Sequence, residues 1–69
     1  MLYKEIKRYL NREGISQASL AKRTGMHIVT LNATLNGNRK LLAEEYFEIC
    51  KALNLEANYF KDRQTNQAS

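Results

Sequence analysis

Residues 17–35 read QASLAKRTGMHIVTLNATL. Within this stretch Ala21, Gly25 and Leu31 are separated by four and six residues, and Leu20 and Met26 flank them as apolar partners. The spacing fits two short helices that cross at a tight turn. Ala21 has to be small because the second helix packs over it. Gly25 takes the left-handed conformation that lets the chain reverse without a Cβ penalty. Leu20, Met26 and Leu31 supply the core shared by the two helices.

A helix-turn-helix of this kind holds its second helix away from the protein body, where it can enter the major groove of DNA. The expectation is therefore a sequence-reading DNA-binding domain. Outward from the motif, Leu2, Ile6, Tyr9 and Leu10 make one apolar stripe, which predicts helix 1 from Leu2 to Arg12 with Gly14 as its cap. Ile15 enters the core, and Ser16 is a good N-cap for helix 2, Gln17 to Thr24. Helix 3 runs from Ile28 to Leu35 and stops at Asn36-Gly37. Tyr46, Ile49, Cys50 and Leu53 fall at i, i+3, i+4, i+7 and predict helix 4 from Ala43 to Leu53. Asn54 takes the left-handed cap position, Leu55 packs down after it, and a short helix 5 covers Ala57 to Lys61. No strand pattern, repeat, proline or linker interrupts the chain.

With 69 residues there is room for one small domain, whose core supplies only about 3–5 kcal/mol. Cys50 is the only cysteine, so no disulfide forms within the chain, and with His27 as the only histidine the usual four zinc ligands are lacking. The absence of a cysteine framework suits a reducing cytoplasm. The N-terminal MLYKEIKRYL alternates charged with apolar residues, unlike a signal peptide. No apolar run approaches the roughly 20 residues that span a bilayer. The net charge of +4 is unevenly spread: residues 1–40 carry eight basic and two acidic groups, residues 41–69 three basic and five acidic. The basic part contains the helix-turn-helix, and a positive face attracts phosphate and releases condensed counterions. An ordinary solvated basic surface is the plainer reading of the same charges.

The stretch from Tyr3 to Phe60 resembles the Cro and repressor type of helix-turn-helix regulator, the lambda repressor-like family of phages, prophages and related bacteria. The matching pieces are GISQASLAKRTGM, TL, LNGNRKL and ICKALNL, in register. The resemblance implies a compact all-α, five-helix domain, taken as residues 1–63; residues 64–69 are small and polar and are expected to be a disordered tail. It also implies a cytoplasmic protein that controls transcription by binding a palindromic DNA operator as a homodimer. Two positions depart from the family pattern. An arginine late in helix 1 that pairs with a glutamate at the end of helix 3 corresponds here to Leu10 and Leu35, and an apolar pair can replace a buried ion pair without loss of stability. Thr34 stands where a large apolar residue is more usual, so the underside of helix 3 is expected to be less well filled.

With Leu31 and Leu35 turned inward, helix 3 presents Ile28, Val29, Asn32 and Ala33 outward, with Asn36 at the edge. By resemblance these positions, together with Gln17, are where base reading is expected. The Asn32 amide suits a bidentate contact with adenine N6 and N7; its alternative is a solvated amide. Ile28 and Val29 either pack on thymine methyl groups, or form a protein-binding patch, or turn partly into the core beside Thr34. Phosphate contacts are expected from His27, Asn36, Asn38, Arg39 and Lys40, and Gln17 can also meet a phosphate at its helix N-terminus. His27 sits where Ser or Thr commonly caps helix 3. By resemblance the dimer surface draws on Leu55, Ala57, Tyr59 and Phe60, although Tyr59 and Phe60 suit caps of the core better than dimer contacts.

Nothing in the sequence supports catalysis, a cofactor or a small-molecule substrate. Glu44, Glu45 and Glu48 fit a solvated face of helix 4, Cys50 lies on its apolar face, and Gly-rich phosphate loops are absent. A protein-interaction module that uses the apolar face of helix 3 is the competing function.

Overall fold

The computed structural model describes residues 1–61. The expected domain end at residue 63 and the expected disordered tail at 64–69 lie outside the described residues. Four helices, α1 (Leu2–Glu13), α2 (Gln17–Thr24), α3 (Ile28–Leu35) and α4 (Ala43–Ala52), are followed by a further helix that begins at residue 59. Among the described residues there is no strand, and the fold is the small all-α, lambda repressor-like one that the resemblance implies.

Each helix starts and stops for a local reason. The apolar stripe of α1 buries Ile6 and Leu10 and packs Leu2 and Tyr9 against the core. The helix includes Glu13, one residue beyond expectation. Gly14 then turns left-handed (φ 70°) and the Ile15 N–H reaches back to the Leu10 carbonyl at 2.9 Å, the six-to-one bond of a Schellman ending. The Ser16 hydroxyl accepts the Ser19 N–H at 3.0 Å and opens α2. Gly25 (φ 77°) closes α2 with one bond from its N–H to the Ala21 carbonyl at 2.9 Å. Helix α4 stops at Ala52, with Leu53 as its cap instead of its last residue. Asn54 takes φ 59°, and the Leu55 N–H bonds to the Cys50 carbonyl at 2.9 Å. An asparagine thus does at α4 what glycines do elsewhere.

Helix α2 packs on α3 and α4, and α1 packs on α3. Their shared interior is Ile6, Leu10, Leu20, Leu31, Leu35, Tyr46, Ile49, Cys50, Leu53 and Phe60, with Ala21 at the close crossing. Leu10 and Leu35 both belong to this cluster. The last helix corrects one expectation: Ala57 and Asn58 form a turn, and helical structure starts at Tyr59. The Ala57 carbonyl accepts the Tyr46 hydroxyl, and the Tyr59 N–H closes on the Glu56 carbonyl at 3.0 Å, so the chain turns before it coils.

Phe60 is a cap of the core, the role that suits it better than the dimer contact. Its side chain is fully buried, with edge-to-face contacts to the Tyr9, Tyr46 and Tyr59 rings, so it seals the core and has no surface to offer a second copy. Burial also pushes the Tyr46 phenol up to about 12 and raises the Cys50 thiol. Burial thus disfavours the Cys50 thiolate, the form that reactive cysteines require.

Candidate nucleic-acid interface

The inner face of α3 is fixed by three fully buried side chains, Leu31, Thr34 and Leu35. That anchoring leaves the opposite face outward. Val29 is 65 % exposed, Asn32 is exposed, and Ala33 is half-buried beside it. The apolar pair divides: Ile28 is half-buried and packs against the core, whereas Val29 stands in solvent. The two residues that look equivalent in the sequence therefore face different surroundings.

The approach to α3 is built from short-range bonds. The Thr24 hydroxyl donates to the Leu20 carbonyl at 3.0 Å and accepts the Met26 N–H at 3.2 Å, which ties the end of α2 to the turn. His27 then caps α3 by accepting the Val29 N–H on Nδ1 at 3.3 Å. An accepting Nδ1 places the proton on Nε2, and His27 is exposed, so this N–H is presented on the surface. Gln17 is half-buried as the first residue of α2, where the first-turn N–H groups have no intrahelical acceptor.

The departure from α3 is built from residues distant in sequence. Asn36 caps the helix, Gly37 turns left-handed (φ 79°), and the Asn38 N–H bonds to the Ala33 carbonyl at 2.9 Å. Lys7 Nζ, from α1, donates to Asn36 Oδ1 at 2.8 Å. A Cβ on Gly37 would stand 2.7 Å from the Tyr3 ring, so α1 also presses directly on this turn. Arg39 Nη1 donates to Thr34 Oγ1 at 3.0 Å and to Glu45 Oε1 at 2.8 Å. The same Glu45 oxygen accepts the Leu42 N–H at 3.0 Å, at the start of α4.

This arrangement accounts for Thr34. Its hydroxyl donates to the Thr30 carbonyl at 2.9 Å and accepts from Arg39, so a polar group at 0 % exposure is satisfied on both sides. The underside of α3 holds a bonded hydroxyl where a loose fit was expected. Arg39 holds Glu45 below the ordinary carboxylate range, with the Leu42 N–H helping. Glu45 is accordingly half-buried and bonded, not simply solvated like its neighbours Glu44 and Glu48.

Of the expected phosphate-facing residues, His27, Asn36, Asn38 and Lys40 are exposed and lie on either side of α3, while Arg39 is half-buried in its bonds to Thr34 and Glu45. Lys7, Thr24 and Glu45 escaped sequence reasoning. Thr24 sits at i−4 from Ile28 with a hydroxyl able to bond its own turn, a signal that was readable. The Lys7 and Glu45 pairings join separate elements and left no local trace.

Of the expected dimer residues, Ala57 is exposed, Leu55 is half-buried against the core, and Tyr59 is half-buried with its hydroxyl accepting from Arg12 Nη2 at 3.3 Å. Among the described residues no group of three His, Cys, Asp or Glu side chains is placed to hold a metal ion, and no helix is long and apolar enough to cross a membrane.

A family model described as helix-turn-helix matches residues 6–60. No curated protein and no solved structure matches the chain.

Proposed function

The chain belongs to the Cro/repressor type of the helix-turn-helix family, a family of DNA-binding transcription regulators, and from that premise we propose that it reads a palindromic operator as a homodimer, in the manner of a phage or prophage Cro or repressor. One observation carries the reading: α3 buries Leu31, Thr34 and Leu35 completely and turns Val29 and Asn32 to solvent. A helix held by one face and open on the other fits the major groove, which admits an α-helix.

In this reading Asn32 makes a bidentate contact to adenine N6 and N7, and Val29, with Ala33 beside it, packs on thymine methyl groups. The exposed part of Ile28 borders the same contact. Gln17 stands at the edge of the reading surface and meets a phosphate at the start of α2. His27 Nε2, Asn36, Asn38 and Lys40 donate to phosphates on the two sides of α3 and set its register without carrying sequence information. The protein acts in the cytoplasm, and its two copies meet through Leu55, Ala57 and the open edge of Tyr59. Because Phe60 is withdrawn into the core and little apolar surface remains there, the dimer forms fully only on DNA. A tight dimer at micromolar concentration without DNA, by sedimentation, would contradict that point.

Val29 is also the one observation in favour of the competing reading, a protein partner docked on α3. The amides of Asn32 on the same helix, of Asn36 and Asn38 after it and of Gln17 at the start of α2 favour DNA. Selection from a random duplex pool at about 150 mM salt, where non-specific phosphate binding is weak, separates the two. An operator-binding dimer enriches a palindrome with half-site centres about 10 bp apart. A folded protein that enriches nothing favours the protein partner.

A further inference from the structure

Seven residues, 36–42, link the end of α3 to the start of α4, and they hold Asn36, Asn38 and Lys40. The link is fastened at both ends. On the α1 side, Lys7 bonds Asn36 and Tyr3 backs Gly37. On the α4 side, Arg39 is gripped by Thr34 and by Glu45, whose side chain is 17 % exposed against 35 % for Arg39. Glu45 also caps α4 through the Leu42 N–H. One carboxylate therefore joins three things: the link, the buried hydroxyl of α3 by way of Arg39, and the first turn of α4.

We propose that Glu45, an acidic residue in a domain that binds a polyanion, is a positioning residue for DNA binding: it holds Arg39 against Thr34 and so sets the shape of the phosphate-facing link. This rests on the DNA reading above. Arg39 in this arrangement is a strut, and the phosphate contacts belong to its neighbours Asn38 and Lys40, which are exposed.

The proposal predicts a sign opposite to simple electrostatics. Removing a negative charge beside DNA ordinarily strengthens binding, because repulsion of phosphate is relieved. If Glu45 positions the link, Glu45→Gln weakens binding instead. Glutamine keeps an oxygen for the Leu42 N–H, so the start of α4 survives while the charge-assisted grip on Arg39 is lost. The expected loss is about 5- to 10-fold, as for a link that spends a tenth to a fifth of its time in the competent shape.

The test measures affinity of the full chain for the duplex selected from a random pool, and for a scrambled duplex, at several salt concentrations. Four forms are compared: wild type, Glu45→Gln, Arg39→Lys and the double variant, with thermal melting as the check on folding. The proposal expects Glu45→Gln and Arg39→Lys to lose affinity alike, the double variant to lose no more than either, and each loss to appear on selected and scrambled duplexes in similar proportion, because the contacts that the link places are to phosphates. Arg39→Lys keeps the positive charge but not the fork that joins Thr34 to Glu45, and the double variant separates strut from phosphate contact, because a direct contact would add its loss to that of Glu45→Gln. Equal or tighter binding by Glu45→Gln overturns the proposal, as do independent losses in the double variant. A wild-type chain that does not prefer the selected duplex overturns the DNA reading itself, which no variant result can mimic.

Discussion

At its N-terminal end α3 is held by a single cap, the 3.3 Å bond from the Val29 N–H to His27, and by a turn whose bonds span a few residues. At its C-terminal end it is held by Lys7, Tyr3, Arg39 and Glu45, from α1 and from the approach to α4. The difference teaches how a small domain divides its labour. The N-terminal end is fastened only by bonds between near neighbours in sequence. The far end carries the cross-links that fix the helix to the body.

Leu31 is common to both ends, fully buried beneath the middle of α3. Leu31→Ala should break the comparison altogether by costing about 2–5 kcal/mol, most of what a core this size supplies; thermal and urea unfolding measure it.

The glycines sharpen it next. Gly25 and Gly37 have nearly the same left-handed φ, 77° and 79°, but a Cβ meets nothing within 4 Å at Gly25 and the Tyr3 ring at 2.7 Å at Gly37. Gly25→Ala should cost about 1–2 kcal/mol for its backbone alone. Gly37→Ala should cost more, and Tyr3→Ala in that background should remove the excess. Equal costs in denaturant would mean that α1 does not press on the turn.

Titration separates the ends as well. Glu45 has its pKa lowered by Arg39 and the Leu42 N–H, so its stabilisation is intact above the ordinary carboxylate range and is lost as pH falls through the lower folded value. Glu45→Gln should flatten that part of the acid limb of a stability–pH curve. At the other end the effect is smallest: His27→Ala should cost about 0.5 kcal/mol, the lower end for a lost cap, and His27→Ser should restore it. Chemical denaturation resolves both.

The comparison also explains what the sequence disclosed. Ser16, Gly25 and the Asn36-Gly37 pair act within one turn of their own helices, and α2 and α3 have the boundaries their spacing predicts. Thr34 read as a misfit because its partner Arg39 is placed by the link, and the strut reaches Glu45 on another helix. Ile28 and Val29 read alike because periodicity over eight residues does not resolve which of two adjacent side chains meets the core. Helix 5 starts only at Tyr59, and the turn before it is bonded through the Ala57 carbonyl to Tyr46, a residue eleven positions back. Local signals were legible; pairings between elements were not.

The central claim is that the outward face of α3 reads bases, and Asn32→Ala tests it most directly. Asn32 is exposed, so folding should change by less than about 0.5 kcal/mol. Affinity for the selected duplex, measured beside a panel with each base pair replaced in turn, should fall by about 1–3 kcal/mol, with discrimination relaxed at one A·T pair of each half-site. Unchanged affinity, or an equal loss on every duplex in the panel, would contradict the account.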